Sequence, residues 1–368
     1  MNDQHLNDWS IEEAGPIDRH LAINTLARRL PRAELHSHLA GALHPAQVRE
    51  LGHGQETHQW GATHDYGGVD HFFSHLMDFA AAFDDAGAVR DATLLVLRSA
   101  VDSGCRHVEL AVNHSEFDTG GLGLDGVLDA ASGAFAQARR LWGLSGGLIL
   151  AADRGIDPSH GHLAVAAAVA ARDRGVPMLG IGNDGVPLSP LTAFAPVYDA
   201  ARSAGFRTTA HANKPVDVVD VLTLGLDRID HAWELQGQPH LQAQVRSAGT
   251  PVTMALTSCL MMLPGRFPTA DSFTFEELRR AGLRVSLNVD DGALFATDSA
   301  QEYAFAARTW DWSPQVLGDV AYASLAAAWI DDDREARLAH WRREIDALVA
   351  DPRMPDRTSI GADPAIRS

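Results

Sequence analysis

Four stretches of the chain end in residues that bind metal ions. His36 and His38 close the apolar run Ala33–His38 as His-Ser-His. His211 closes Arg207–His211, His231 closes Arg228–His231, and Asp290 and Asp291 follow Arg284–Asn288. Imidazole nitrogens joined by a carboxylate suit zinc, with one position left for water. The chemistry such a set performs is hydrolysis, because a divalent cation brings the pKa of bound water to about 7. Each signal is weak alone. The chain has 18 histidines, His-x-His is common, and an Asp pair after a strand often caps a helix. The signal lies in the conjunction of four segment ends.

The segments themselves say how these residues meet. Ala33–His38, His107–Val112, Gly147–Ala151, Met178–Ile181, Arg207–His211, Arg228–His231, Val252–Ala255 and Arg284–Asn288 are short and largely apolar, with Gly, Pro or polar residues at their ends. They read as buried parallel strands. Alanine-rich stretches between them, such as Gly123–Leu141, His162–Arg174 and Ser189–Ala204, read as helices. Eight alternations predict an α/β fold, a (β/α)8 TIM-type barrel, whose strand ends share one rim where such barrels place their chemistry. Period-two alternation puts His36 and His38 on one face. The remainder divides into an N-terminal extension (1–30), a barrel (31–350) that includes a lid-like insertion (52–98), and an irregular tail (351–368). Within the insertion, the aromatic stretch around His71, Phe72, Phe73, His75, Met77 and Phe79 fits either a pocket wall or a packing helix. Further helices are expected at 301–308, 313–330 and 334–349.

Composition narrows the partners. The 368 residues carry 30 basic and 48 acidic side chains, a net charge of −18. That charge opposes binding to nucleic acid or anionic lipid. No apolar run approaches the roughly 20 residues of a membrane span, and Met1–Ser10 is too polar for a secretory signal. Two cysteines, Cys105 and Cys259, fit a reduced, cytoplasmic protein. A small-molecule substrate is the expected partner; oligomeric state leaves no mark.

The segment Pro31–Leu43, PRAELHSHLAGAL, resembles the opening of adenosine deaminase-like proteins of the metal-dependent amidohydrolase superfamily. Leu179–Gly185, Thr209–Ala212, Arg228–His231 and Ser286–Asp291 extend the resemblance to about Tyr303. The resemblance implies one zinc ion held by His36, His38, His211 and Asp290. It implies that His231 orients or deprotonates the attacking water and that Asp290 can accept a proton. It also implies that Asp291 and the backbone of Gly185 contact the substrate ring, and that Glu109 is structural. The same ligands tolerate iron or manganese.

Three positions depart from the family pattern. The fifth-strand motif His-Ala-Gly-Glu reads His211-Ala212-Asn213-Lys214, so a lysine, the only one in the chain, stands where the family has its proton-donating glutamate. Ala40 replaces a polar residue that helps select sugar or base, and Thr-Ser-Asn reads Thr257-Ser258-Cys259. Lys214 can serve as an acid or base if its pKa falls, as a clamp for an anionic group, or as the mark of a lost activity. The expected function is zinc-dependent removal of an amino group from a purine-like or related aminated heterocycle other than adenosine. The alternatives are a silent nucleoside-binding relative and a hydrolase of an amide or lactam, with Lys214 clamping an anion.

Overall fold

The computed structural model describes residues 16–42, 85–117 and 121–351, together with Phe72 and Leu76. Eight parallel strands follow one another in chain order around a barrel: β1 (Arg32–His38), β2 (Cys105–Asn113), β3 (Ser145–Asp153), β4 (Met178–Asp184), β5 (Arg207–Ala212), β6 (Arg228–His231), β7 (Val252–Met254) and β8 (Val285–Leu287). All seven residues of β1 are buried, as are all of β6, β7 and β8. Strands covered on both sides need no polar face, which is why they read as apolar runs rather than alternating ones.

The ring closes just beyond β8. Ser37 forms a parallel bridge with Asp290. The His38 N–H donates to the Asp290 carbonyl at 3.3 Å, and the Asp290 N–H donates to the His36 carbonyl at 2.9 Å. Asn288 and Glu34 complete the seam: Asn288 Oδ1 accepts from Leu35 N–H at 2.9 Å, and Glu34 Oε1 accepts from Val289 N–H at 3.3 Å.

Helices pack outside the strands. Between β1 and β2, among the described residues, the helix Ala86–Asp102 is buried through Val89, Ala92 and Leu97. Residues 86–98, the last part of the expected insertion, lie in this helix. The rest of that insertion and the tail from Pro352 onward lie outside the described residues, apart from Phe72, Leu76 and Asp85. The extension contributes the helix Pro16–Arg29, and its Leu26, Ala27 and Leu30 are buried in the same apolar core as the barrel. Trp329, 8% exposed, packs its ring against Gly180 of β4. Its backbone N–H donates to Glu109 Oε1 at 2.6 Å, and the Arg228 guanidinium lies 4.2 Å over its ring. Arg228 and Glu109 pair at 2.6 Å with at most 1% of either side chain exposed. Among the described residues no helix is long and apolar enough to cross a membrane.

Candidate active site

Strand ends deliver the cluster. His36 and His38 lie at the end of β1, His211 near the end of β5 and His231 at the end of β6, with Asp290 in the seam after β8. The Nε2 atoms of His36 and His38 stand 3.3 Å apart, and Asp290 Oδ1 lies 3.2 Å from the first and 3.3 Å from the second. His211 joins the two β1 histidines, and His231 joins His36 and Asp290, in groups whose ligand atoms all fall within 4.8 Å. Ring centroids of His36 and His211 are 4.8 Å apart, and those of His36 and His231 4.7 Å.

The outward nitrogens are already committed. His38 Nδ1 is 3.0 Å from Asp184 Oδ2, His211 Nδ1 is 2.5 Å from the Asn183 carbonyl, and His36 Nδ1 stands 3.5 Å from Asp230 Oδ1. Protons held on Nδ1 leave three Nε2 lone pairs pointing inward beside a carboxylate oxygen, an arrangement that is repulsive without a positive charge among them. Acceptors bonded to one cation at about 2.0–2.2 Å in tetrahedral geometry stand about 3.3 Å apart, so the separations fit a divalent ion. The outer partners are themselves fixed. Thr209 Oγ1 and Thr253 Oγ1 donate to Asp230 at 2.6 and 2.7 Å, and Ser258 Oγ donates to Asp290 Oδ2 at 2.6 Å. Such supports set ring orientation and ligand basicity.

Electrostatics agree with a cation cradle. Burial opposes a charged ring at His36, yet Asp230 and then Asp290 hold its pKa up at about 9. Protons therefore compete with a cation for the same nitrogens. Burial drives His231 down to about 3, which keeps it neutral. Burial, followed by the charge of Asp290, raises Asp291 to about 8. His231 and Asp290 also have left-handed backbones, with φ of 68° and 58°. Conformations that cost non-glycine residues energy gather where the surroundings over-determine them, often at functional sites.

A cavity of about 170 Å³ opens over the cluster. Phe72 and Phe295, stacked with centroids 5.3 Å apart, form one wall, and Trp233, 4.9 Å from the His231 ring, forms another. Asp184, Gly185, Asn213, Asp290 and Asp291 supply the polar surface. Larger cavities of about 260 and 330 Å³ lie elsewhere, and neither is lined by a histidine or aspartate of the cluster. Asp291 packs on Gly41, where a Cβ would sit 1.7 Å from its Oδ1. Gly185 lines the cavity at φ 81°, but its N–H donates to Asp184 Oδ1 at 2.6 Å.

Ala40, expected at the substrate, and Lys214, expected in catalysis or as a clamp, do not line the cavity. Ala40 is 1% exposed, packs in the apolar core and does not line the cavity. Lys214 is exposed, at the N-cap of the helix Pro215–Leu224. His211 and Asn213 line the cavity, whereas Ala212 is buried in the apolar core and Lys214 is not among the lining residues. Asn213 lines the cavity although no expectation named it, and a mark in the sequence that would single it out is lacking. Asp184, Asp230 and Ser258, which hold the cluster in place, carry no such mark, because their roles come from neighbouring strands.

A family model described as adenosine deaminase matches residues 31–345. The aminodeoxyfutalosine deaminase of Streptomyces avermitilis is 29% identical over 335 residues, covering 87% of this chain and 92% of that protein. An adenine deaminase of Rhodopseudomonas palustris is 27% identical over 347 residues, covering 89% and 97%. Among solved structures, an amidohydrolase of Burkholderia ambifaria with bound Zn superposes with a TM-score of 0.79 at 24% identity, covering 91% of this chain and 94% of that one.

Proposed function

Because the chain belongs to the adenosine deaminase family, and so to the hydrolases that act on C–N bonds, we propose that it is a zinc-dependent deaminase of a purine-like heterocycle other than adenosine. The observation that carries this reading is the convergence of His36, His38, His211 and Asp290 with each imidazole's outer nitrogen near an acceptor. Names among the relatives, adenine deaminase and aminodeoxyfutalosine deaminase, support an aminated purine-like substrate. The zinc of the Burkholderia ambifaria amidohydrolase supports zinc as the ion.

His36, His38, His211 and Asp290 would hold the ion, which when bound supplies Lewis acidity and a water acidified toward neutral pH. Neutral His231 offers an acceptor to the attacking water's proton and orients it toward the ring. Asp290, held by Ser258, is the second acceptor at the same point. The ring lies between the Phe72 and Phe295 wall and Trp233, with Asp291 and Gly185 at its polar edge. Water is limited by the apolar side chains of Leu76, Met262 and Leu263 at the cavity wall.

Lys214 has no part at the ring in this reading. An amide or lactam hydrolase that clamps an anion with Lys214 is disfavoured by that residue's exposure. Buried, unpaired thiols at Cys105 and Cys259 suit a reducing, cytoplasmic setting. The test is ammonia release from purines, pterins and their nucleosides by zinc-loaded protein. Release from a purine other than adenosine supports the reading, and silence across the panel contradicts it.

A further inference from the structure

We propose that Glu302 is a positioning residue for the metal site: it ties the helix Leu256–Met262 to the loop after β8, and through Ser258 it fixes the proposed ligand Asp290. This deepens the deaminase reading and rests on its cation cradle.

The first observation is one buried carboxyl group shared by two cavity walls. Glu302 lies in the helix Ser299–Thr309 and is 1% exposed. Its Oε2 accepts from the backbone N–H groups of Leu256 at 3.0 Å and Thr257 at 3.2 Å. Its Oε1 accepts from the hydroxyls of Thr257 and, at 2.9 Å, of Thr297. None of these four donors is a cation. Burial raises the pKa of the group, and the same donors pull it back. A proton on either oxygen would have to displace one of them. Buried acceptors so engaged are expensive to strip of their partners, which makes the clamp stiff.

The second observation is that the helix Leu256–Met262 lacks a cap of its own. The first N–H groups of a helix find no partner within it, and Ala255 at the N-cap has no side-chain acceptor. Glu302 reaches across from another helix and takes two of these N–H groups. A carboxylate there also suits the helix dipole.

The third observation is what each side of the clamp carries. Next to the clamped Thr257, Ser258 donates to Asp290 Oδ2 at 2.6 Å. Thr297 belongs to the loop that bears Asp290. Its N–H donates to the Gly292 carbonyl at 2.9 Å, and the Phe295 N–H donates to the Asp291 carbonyl at 3.1 Å. Ser258, Asp290, Asp291 and Phe295 all line the cavity. The serine and the aspartate it holds thus ride on two segments whose separation Glu302 sets. A helix that drifts from the loop releases Asp290 Oδ2, and the orientation of the carboxylate goes with it.

The test measures zinc affinity of the full chain by competition against a chelator, with urea unfolding in parallel. It compares wild type, Glu302→Leu, Glu302→Gln, Thr297→Val, Ser258→Ala and the double variant of Glu302→Leu with Ser258→Ala. Leucine removes both acceptors at similar volume. Glutamine can keep its carbonyl on the two N–H groups while the threonine hydroxyls turn to accept from its amide. The expected result is zinc held about 10-fold more weakly by Glu302→Leu and within about 3-fold of wild type by Glu302→Gln. Thr297→Val should lose about 3–10-fold, and Ser258→Ala about 10–100-fold. Adding Glu302→Leu to Ser258→Ala should cost less than about 3-fold more, because the path is already cut. A residue that only supports the fold would lower the urea midpoint and leave the zinc affinity of folded protein unchanged, or its effect would add in full to that of Ser258→Ala. Either result would overturn the proposal, as would equal losses in the leucine and glutamine variants. Should Glu302→Leu fail to fold, Thr297→Val alone and combined with Ser258→Ala decides by the same criteria. Wild type that binds no zinc would sink the cation cradle along with the proposal, whereas zinc binding indifferent to Glu302 would sink the positioning role alone.

Discussion

His36 and Asp290 meet twice. The Asp290 N–H donates to the His36 carbonyl at 2.9 Å, and Asp290 Oδ1 stands 3.2 Å from His36 Nε2. The first contact closes the barrel between β1 and the segment after β8, and the second builds the cation cradle. Fold closure and ligand geometry are thus one structural event, and a change at the seam is felt at the metal ligands.

Gly41 supports Asp291 by leaving room for it, since an added Cβ would overlap its carboxylate. Gly41→Ala must displace Asp291 from the ring-facing edge of the cavity. A misplacement near 1 Å costs about 10²-fold in rate, so kcat/KM should fall by about that factor while bound zinc stays at the wild-type level. Parallel steady-state kinetics and metal analysis check this; loss of zinc together with activity would mean that Gly41 acts through the metal instead.

Asp230 touches no substrate-lining surface but stands behind His36, held by Thr209 and Thr253. Asp230→Asn should weaken zinc affinity by about 10–100-fold, as removal of such supporting carboxylates does. Competition against a chelator measures it, and unchanged affinity would separate Asp230 from the metal site.

Lys214→Met is expected to change kcat/KM by less than about 3-fold, because the side chain is exposed and its surface interactions are worth little. A loss of 100-fold or more, roughly 2.8 kcal/mol at 1.4 kcal/mol per decade, would return Lys214 to the reaction.

The buried Arg228–Glu109 pair, beside which Asp230 also faces Arg228 at 3.4 Å, predicts a pH signature in stability. Burial pushes the Glu109 carboxyl up, but Arg228 wins and holds it below its ordinary value of 4.5. A depressed folded pKa stabilises the protein above the unfolded value, and that contribution is lost as pH falls through the folded one. Glu109→Gln removes the nearer of the two carboxylates facing Arg228, leaves Asp230 in place, and should cost about 1–3 kcal/mol near neutral pH. In urea unfolding, the gap to wild type should hold between pH 8 and 5 and close on acidification below 4.5. A gap that widens in acid would have the wrong sign for this pair.

Much of this arrangement was legible in the residues because burial on both faces writes parallel strands as short apolar runs. Arg228–His231 was delimited to the residue, and the ends of β1 and β5 lie within one residue of the expected ones. The histidines were legible because strand ends of a parallel barrel share a rim. Lys214 drew attention as a change of residue type in a motif, and the structure places it exposed at the N-cap of Pro215–Leu224, outside the cavity lining. Ala40 misled similarly, since its neighbours continue into the core rather than the cavity. The supports Asp184, Asp230 and Ser258 act across strands far apart in sequence, and only the closed barrel brings them to the histidines.

The most direct test of the central claim is stoichiometric. Zinc and ammonia release from the best purine of the panel would be measured on protein as purified, after chelation, and after zinc is returned, with His211→Asn alongside. The account predicts one zinc per chain, deamination lost on chelation and restored on reloading, and neither zinc nor turnover in the variant. Deamination that persists after the zinc is stripped, or full zinc occupancy in His211→Asn, would contradict it.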